Sequence, residues 1–360
     1  MKKIKVGILF GGKSVEHEVS LQSARNVIEA IDRDKFDIVL IGINKDGQWL
    51  LNDSAEQFLI ADSSNESLSI SGNQVALIPE SGGNLTSLTN IQSHSTLDVV
   101  FPLLHGTYGE DGTIQGLLKL ANVPFVGAGV LASAVGLDKD VAKRLLRDAG
   151  IPVGQFIAIR SGDTIDTDHI IQQLGLPLFV KPANLGSSVG IRKVKDAPFL
   201  YEAIEFAFLY DNKVLIEAYI QGRELECAVL GNRDPVASIV GEVKAHHDFY
   251  SYNAKYIDEH GATLIVPADI SIDASNRLRE IAIRTFKVLG CEGMARVDFF
   301  ITEDGNILVN EINTIPGFTN VSMYPLLWQA SGVSYSDLIG QLIQLAIERH
   351  SRETKLRTSL

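Results

Sequence analysis

The N-terminal part of the chain alternates apolar runs with helical spacing, a pattern typical of a parallel α/β domain. After the first apolar run, Gly11 and Gly12 provide a turn before the first helix. Residues 51–97 differ because they are rich in Ser and Asn and contain only a weak strand at 75–78, so we expect a surface insertion there. The predicted strands cover residues 4–10, 38–43 and 99–103, and the predicted helices cover residues 20–31 and 113–120.

The pattern changes between residues 125 and 150, where we expect a domain boundary. A helix predicted at 138–150 leads into short apolar runs that are typical of an antiparallel arrangement. The runs at 214–219 and 225–230 predict one strand pair, and residues 350–360 are polar enough to predict a frayed tail. The other predicted strands cover residues 178–181, 191–194, 239–243, 263–266, 299–301 and 307–309, and the predicted helices cover residues 276–289 and 336–347.

The composition is that of a globular protein, with 45% hydrophobic and 21% charged residues in a chain of 360. A net charge of −12 argues against general affinity for nucleic acid or anionic lipid, so we expect small molecules as partners. No apolar stretch approaches the roughly 18 residues of a membrane span, and Lys5 interrupts the N-terminal apolar run. Cys227 and Cys291 lie far apart in the sequence and predict reduced thiols, so we expect a cytoplasmic protein.

Two glycine-containing segments are candidates for phosphate binding. The first formally matches the GxxxxGK[ST] pattern, but its first glycine, Gly7, lies inside the first predicted strand, so the segment is not an open phosphate loop. In the second, Lys181 ends a strand and residues 184–190 form a Gly-Ser loop before the next strand. This loop suits a phosphate, because its amides and the hydroxyls of Ser187 and Ser188 donate hydrogen bonds and the lysine supplies charge. An ordinary turn is the alternative.

A hairpin is predicted around Asp304-Gly305, the strongest two-residue turn signal in the chain. With these two residues as the loop, Glu303 faces Asn306. Counting outward from the loop pairs Asp298 with Glu311. It also pairs Arg296 with Asn313 on the same face of the sheet. The side chains predicted to share this face are Arg296, Asp298, Glu311 and Asn313.

Two carboxylates on this face require a positive charge between them. At about 5 Å, an effective dielectric near 20 gives a repulsion of roughly 3 kcal/mol between Asp298 and Glu311, well above the ~0.2–1 kcal/mol of ordinary cross-strand pairs. Arg296 supplies part of that charge, and Mg²⁺ explains more, because it binds carboxylates together with substrate phosphates and Asn313 adds another oxygen. An exposed hairpin with water-screened charges is the alternative.

Three polar segments complete the set of candidates. Residues 14–20 and 105–112 each follow an apolar strand and contain Glu16 and His105, at the sheet edge where open parallel sheets bind ligands. A capped helix start and a polar turn are the respective alternatives. Residues 249–256 form a long aromatic connection that resembles an active-site lid, with an edge loop of packed tyrosines as the alternative.

In combination, these segments resemble the D-alanine–D-alanine ligase family of the ATP-grasp superfamily, from about Lys5 to Arg349. Each matching stretch is weak alone, but their order along the chain is highly specific. Ile315 stands where certain relatives have serine. The matching stretches are GGKSVEHEVSL, LLHGTYGEDGTIQG, VKPANLGSSVGI, YSYNAKYID, ARVDFF and VNEINTIPGFTNVSMYP.

The resemblance implies a mixed α/β and α+β chain with an ATP-grasp fold behind the N-terminal Rossmann-like domain. It implies a substrate domain at residues 1–127 that includes the insertion 51–97, and a central ATP-grasp subdomain at 128–219. The C-terminal subdomain with the lid covers residues 220–349, and the polar tail covers 350–360. Nucleotide is then held between the middle and C-terminal sheets.

The family also implies roles for individual residues. The ATP-binding residues are Lys139, Lys181, Ser187, Ser188, Glu217, Ala218, Ile220, Glu224, Lys255 and Asn310, and the ligands of two Mg²⁺ ions, with Mn²⁺ as a possible substitute, are Asp298, Glu311 and Asn313. The substrate-binding residues are Glu16, His105, Arg296, Gly317, Ser322 and Met323, and the catalytic residues are Glu16, Ser187, Lys255, Tyr256, Arg296 and Ser322.

The activity implied is ATP-dependent joining of two D-alanine molecules for peptidoglycan precursors, through an acyl phosphate, by a homodimer. Arg296 and the Gly317 amide stabilise the oxyanion, and the lid excludes water. Tyr256 stands where relatives that add D-lactate typically lack tyrosine, which favours a dipeptide product. The alternatives are a D-alanine–D-lactate or D-alanine–D-serine ligase, another ATP-grasp carboxylate–amine ligase, and a nucleotide-binding regulatory module. A dehydrogenase is disfavoured because the N-terminal turn lacks GxGxxG.

Overall fold

Three β-sheets organise the part of the chain that the computed structural model describes, residues 2–52, 72–89, 93–246 and 261–357. The N-terminal sheet has the order β6-β5-β4-β3-β2-β1-β7, in which β1 runs parallel to β2 and β7. Its strands are β1 (Ile4–Gly11), β2 (Phe36–Ile43), β3 (Trp49–Asn52), β4 (Asn73–Leu77), β5 (Asn84–Ser87), β6 (Ser93–Thr96) and β7 (Val99–Leu103).

The predicted surface insertion is wrong for the described parts of residues 51–97. Strands β3 to β6 extend the N-terminal sheet by antiparallel pairing, and Val75, Leu77 and Leu85 are buried in its core. The polar composition misled the prediction because these strands are short and their few apolar side chains share one face. The described parts of residues 51–97 therefore belong to the sheet and the core of the N-terminal domain.

The middle sheet is antiparallel as predicted and has the order β10-β9-β11-β8. The C-terminal sheet has the order β14-β13-β12-β15-β16 and is also antiparallel. Their strands are β8 (Phe156–Arg160), β9 (Leu178–Pro182), β10 (Arg192–Val194), β11 (Lys213–Ala218), β12 (Gly222–Gly231), β13 (Val236–Ala245), β14 (Ala262–Ile265), β15 (Gly293–Thr302) and β16 (Ile307–Asn313).

The predicted pairing of residues 214–219 with 225–230 is wrong. Both edges of β11 are occupied, by β8 and β9, so β12 has no edge of β11 to pair with. Instead β12 pairs with β13 and β15 in the neighbouring sheet. The short connection between β11 and β12 therefore crosses from one sheet to the other, which opens a cleft between them.

Helices cover the sheets and connect the units. Side-chain caps start several of them: Asp138 accepts from the Val141 amide, and Ser271 and Ser334 play the same part for later helices. No helix within the described ranges is long and apolar enough to cross a membrane. The helices are α1 (His17–Ala30), α2 (Thr113–Leu120), α3 (Val130–Leu137), α4 (Lys139–Asp148), α5 (Thr167–Leu174), α6 (Leu200–Phe208), α7 (Ile272–Val288), α8 (Met323–Ala330) and α9 (Tyr335–Glu353).

The last helix is longer than predicted. The polar tail was expected from residue 350, but α9 continues to Glu353. Arg349 is buried and donates to the carbonyls of Gly127 and Phe125, while Arg352 forms an ion pair with Glu292. These contacts hold the end of the helix against residues 125–127 and against the start of β15, so the start of the tail at residue 350 is a wrong prediction.

Candidate active site

A cleft of about 520 Å³ lies between the middle and C-terminal sheets, within the ~300–1,000 Å³ range of small-molecule sites. Aromatic side chains, including Phe179, Tyr219 and Phe300, form part of its walls. Lys255 lies outside the described residues. Every other residue predicted to bind nucleotide lines the cleft: Lys139, Lys181, Ser187, Ser188, Glu217, Ala218, Ile220, Glu224 and Asn310.

The carboxylate of Glu217 sits between two lysines in the wall of this cleft. Lys143 Nζ lies 2.9 Å from Glu217 Oε1, and Lys181 contacts Oε2. Burial by itself raises the pKa of Glu217, but the two lysine charges outweigh it and lower the pKa to about 2. Sequence reasoning missed Lys143, although its position four residues after Lys139 on one helix was a usable signal.

Lys139 is placed by the start of helix α4. Asp138 caps this helix and is held by Lys213, whose Nζ lies 2.7 Å from Asp138 Oδ1. The Lys139 ammonium donates to the Leu185 carbonyl at 2.7 Å and lies 3.6 Å from Glu311 Oε2. It therefore connects the Gly-Ser loop with the C-terminal sheet, and its contact with a phosphate stays a prediction.

The Gly-Ser loop reaches the N-terminal domain. Ser187 and Ser188 adopt left-handed backbone conformations, with φ of 49° and 60°. The Ser187 hydroxyl donates to the Glu16 carboxylate, so the predicted nucleotide loop and the predicted substrate residue are in direct contact. Gly106 packs so closely beside them that an added Cβ would lie 2.6 Å from Glu16 Oε2.

His105 is buried next to Glu16 and held by two neutral partners. Its Nδ1 lies 3.1 Å from the Ile315 carbonyl oxygen, and its Nε2 lies 3.1 Å from Ser23 Oγ. Because a carbonyl only accepts, we assign the ring proton to Nδ1, and the Ser23 hydroxyl then donates to Nε2. Burial lowers the pKa of His105 against the opposing effect of the Glu16 charge. We therefore treat His105 as a neutral side chain in a fixed orientation, and its contact with substrate stays a prediction.

Glu110 is a buried acid that sequence reasoning did not single out. Its Oε2 accepts from the Gly106 amide at 2.8 Å, and it lines a small cavity together with Lys139, Glu311 and Asn313. Burial, followed by the charge of Glu16, raises the pKa of Glu110 to about 8. Glu110 lies five residues after His105 in the sequence, but nothing in the sequence pattern indicated that the side chain of Glu110 would be buried.

Removing this acid is expected to change the pH dependence of stability. The folded-state pKa of Glu110 is raised, so the folded chain holds a proton that the unfolded chain releases above about pH 4.5, and stability falls as pH rises from there to about 8. Glu110→Gln, which keeps the hydrogen-bond acceptor, should therefore gain stability relative to the parent chain over that window. Tm measured from pH 5 to 9 checks this, and a constant Tm difference across the window would contradict it.

The predicted hairpin forms, with a different turn. The loop has three residues, because Thr302 pairs with Asn306 and Gly305 adopts a left-handed φ of 76°. The predicted pairing of Glu303 with Asn306 is therefore wrong. A bulge at Asn310 adds one residue to β16 and restores the predicted register beyond it. The pairs are then Arg296 with Asn313 and Asp298 with Glu311, as predicted.

Arg296 supplies the positive charge on this face. Its guanidinium donates to both oxygens of Asp298, at 2.7 and 2.6 Å, and lies 2.8 Å from Glu226 Oε2. Burial by itself lowers the pKa of Arg296, but the charges of Asp298 and Glu226 raise it well above the ordinary value. Asn313 also donates to Asp298, at 3.0 Å.

The predicted metal ligands were tested against this geometry. Groups of three or more His, Cys, Asp or Glu that could hold a metal ion are absent from the described ranges. The donors present are the carboxylates of Asp298 and Glu311 and the amide oxygen of Asn313, which are the hard oxygens that Mg²⁺ combines with phosphate oxygens from a substrate. These residues fit ions that arrive with a nucleotide, and they do not form a closed site of their own.

The remaining substrate residues lie near one loop. Ser322 Oγ accepts from the Thr319 amide at 3.0 Å, and an added Cβ at Gly317 would lie 2.8 Å from Ser322 Oγ. Met323 starts helix α8 with its side chain buried in the core, so its contact with substrate stays a prediction. Tyr256, like Lys255, lies outside the described residues.

Two antiparallel sheets that enclose a lysine-lined cleft, behind a mixed N-terminal sheet with the parallel strands β1, β2 and β7, define this chain as an ATP-grasp protein. Comparison with known families agrees in detail. The family model described as "D-ala D-ala ligase N-terminus" matches residues 5–128, and that described as "D-ala D-ala ligase C-terminus" matches residues 145–344. The chain belongs to the D-alanine–D-alanine ligase family.

Relatives match along the whole length of the chain. A D-alanine–D-alanine ligase of Shouchella clausii is 56% identical over 364 residues, covering 100% of this chain and 99% of the relative. D-alanine–D-alanine ligase A of Escherichia coli K12 is 52% identical, with 100% of both chains covered. Among solved structures, the D-alanine–D-alanine ligase of Coxiella burnetii matches with a TM-score of 0.88 at 42% identity, covering 99% of this chain and 97% of that one.

Proposed function

We propose that this protein joins two D-alanine molecules into D-alanyl-D-alanine, with conversion of ATP to ADP and phosphate, for peptidoglycan precursor synthesis. The full-length relatives named D-alanine–D-alanine ligase support this activity. The geometric observation that carries it is the contact between Ser187 and Glu16, which joins the nucleotide loop to the substrate residues of the N-terminal domain. A carboxylate substrate held beside Glu16 then lies next to the phosphates in the cleft.

The protein acts by charge and position in this proposal. Glu16 binds the ammonium group of the first D-alanine. The carboxylate of that D-alanine attacks the terminal phosphoryl group of ATP, which forms an acyl phosphate and releases ADP. The amine of the second D-alanine then attacks the acyl phosphate and releases phosphate. Lys139 and Lys181 neutralise the phosphates, and Arg296 with the Gly317 amide stabilises the oxyanion of the tetrahedral intermediate. Ser322 lies near the carboxylate of the second D-alanine.

We further propose two Mg²⁺ ions, replaceable by Mn²⁺, on Asp298, Glu311 and Asn313. When bound, such ions neutralise charge on the transferring phosphoryl group. The domain limits proposed are 1–127, 128–219 and from 220 to the end of α9 at Glu353, which agree with one sheet in each unit. A homodimer in the cytoplasm, where ATP is available, completes the proposal. The free, buried thiols of Cys227 and Cys291 agree with a reducing compartment.

Phosphate release tests the activity directly. We expect the purified chain, given ATP and Mg²⁺, to release phosphate only when D-alanine is added, with one D-alanyl-D-alanine formed for each phosphate. L-Alanine is the matched control and should give the background rate. A regulatory nucleotide-binding module would show no D-alanine dependence, and phosphate release without dipeptide would exclude the ligase reaction.

A D-serine acceptor is the second candidate, and one comparison favours it. The VanG D-Ala:D-Ser ligase of Enterococcus faecalis has a TM-score of 0.84 and 38% identity to this chain, with 96% of this chain and 100% of that one covered. The relatives at 52–56% identity are named D-alanine–D-alanine ligases, so D-alanine is preferred here. Competition between D-alanine and D-serine, with product analysis, decides between them.

Selectivity against D-lactate is expected to depend on Tyr256. Tyr256→Phe should lose part of its dipeptide synthesis and gain relative use of D-lactate, most clearly below neutral pH, where uncharged D-alanine amine is scarce. The measurement is the ratio of the two products with both acceptors present from pH 6 to 9. An unchanged ratio would remove Tyr256 from the selectivity mechanism.

A further inference from the structure

Lys143 is a buried lysine beside the nucleotide cleft that the mechanism above does not use. It is 2% exposed on helix α4, one turn after Lys139. Its Nζ lies 2.9 Å from Glu217 Oε1, yet Lys143 does not line the cleft. Lys181, which contacts the other oxygen of Glu217, does line the cleft. The same carboxylate therefore has one lysine on the protein side and one on the ligand side.

The charges of Lys143, Lys181 and Glu217 indicate why this carboxylate has two lysine partners. Two ammonium groups and one carboxylate leave a net charge of +1, and all three residues are at most 8% exposed. A buried carboxylate that loses its last positive partner is strongly destabilised, because no water replaces that partner. With Lys181 as its sole partner, Glu217 would hold Lys181 in place. With Lys143 also present, Glu217 keeps a partner when Lys181 moves.

We propose that Lys143 is a positioning residue that acts as the permanent counter-ion of Glu217 and so allows Lys181 to engage the phosphates of the bound nucleotide. The inference rests on the proposed function for the identity of that nucleotide. Lys143 makes no contact with the ligand and acts through its neighbours. Lys143 contributes more to binding of the phosphates than to binding of the base and ribose, because the group that it releases, Lys181, is a cation.

Lys143→Met removes the charge while conserving most of the side-chain volume. The dissociation constants of ADP and adenosine, measured by displacement of a fluorescent ADP analogue, separate the phosphate contribution from the rest. We expect ADP binding to weaken by about tenfold, the scale of one charged hydrogen bond, with adenosine binding nearly unchanged. Lys143→Arg should retain most of the ADP affinity. Arg144→Met is the matched control, because Arg144 is the next residue on the helix and its side chain is 59% exposed.

The double variant Lys143→Met/Glu217→Gln provides the decisive comparison. Without the charge of Glu217, Lys181 is no longer captured, so the ratio of adenosine to ADP dissociation constants should return toward that of the parent chain. Equal weakening of ADP and adenosine in Lys143→Met would assign Lys143 a purely structural role and overturn the proposal. So would unchanged binding of both ligands, or a double variant that is no better than the single one.

The Tm of each variant is measured as a control for loss of stability. If Lys143→Met does not fold, Glu217→Gln alone tests the same mechanism, because releasing Lys181 should then preserve or increase the preference for ADP over adenosine. A decrease in that preference would overturn the proposal. The binding assay needs no D-alanine turnover, so failure of the ligase reaction in the parent chain is a separate result.

Discussion

Replacing Glu311 with alanine is expected to remove most of the ligase turnover, by about a hundredfold or more, as for the loss of a group that stabilises transition-state charge. Glu311 faces Asp298 across the paired strands β15 and β16 and lines the nucleotide cleft. Under the proposed function it is a ligand of the magnesium that accompanies ATP. We also expect the magnesium concentration for half-maximal rate to rise, because the remaining oxygen donors bind the ion less well.

The fold of Glu311→Ala should remain intact, since the side chain is 23% exposed and the register of β16 is set by backbone pairing. Turnover measured over a magnesium titration, with Tm as the folding check, tests the prediction. Glu303→Ala is the matched control, because Glu303 lies exposed in the turn of the same hairpin. Near-parental turnover of Glu311→Ala at limiting magnesium would rule out the metal-ligand role.

This hairpin shows how a correct strand register can follow from an incorrect loop length. A two-residue loop was predicted, but the loop has three residues and β16 contains a one-residue bulge at Asn310. The two deviations cancel beyond the bulge, so Asp298 still faces Glu311. Loop length and bulges depend on local backbone conformation and on twist, neither of which is visible in the apolar pattern.

Elements with a clear local pattern were predicted closely, whereas tertiary pairing was not. The helix Thr113–Leu120 has the predicted bounds, and an apolar stripe with flanking turn residues accounts for this. Helix Val130–Leu137 was missed, because it is apolar on nearly all sides and therefore shows no apolar stripe. The pairing of β11 and β12 was wrong because a strand pattern does not tell which edges other strands already occupy.

The residues that line the cleft were predictable where they belong to a recognisable motif, and unpredictable where only burial distinguishes them. Motif residues such as Lys181 and Ser187 line the cleft as expected. Lys143 and Glu110 were not singled out, because an isolated lysine or glutamate in a sequence is usually a solvated surface residue. Their importance comes from the partners that folding supplies: Glu217 for Lys143, and the Gly106 amide for Glu110.

Glu16→Gln is expected to weaken binding of the first D-alanine by about tenfold to a hundredfold, the range for loss of a charged hydrogen bond. Glu16 is 6% exposed, so its interaction with an ammonium group is poorly screened by water. Glutamine keeps an oxygen that accepts from Ser187 and removes only the charge, which limits disturbance of the Gly-Ser loop.

The Michaelis constants for the first D-alanine and for ATP, measured together, test this role of Glu16. The constant for D-alanine should rise strongly and that for ATP should change little, because Glu16 belongs to the substrate side of the contact with Ser187. Glu18→Gln is the matched control, since Glu18 lies two residues after Glu16 in the first turn of α1 and has an exposed side chain that pairs with Lys45. Its kinetics should equal those of the parent chain. An equal rise in both constants for Glu16→Gln would show that its charge orders the whole site, and an unchanged D-alanine constant would place the ammonium group elsewhere.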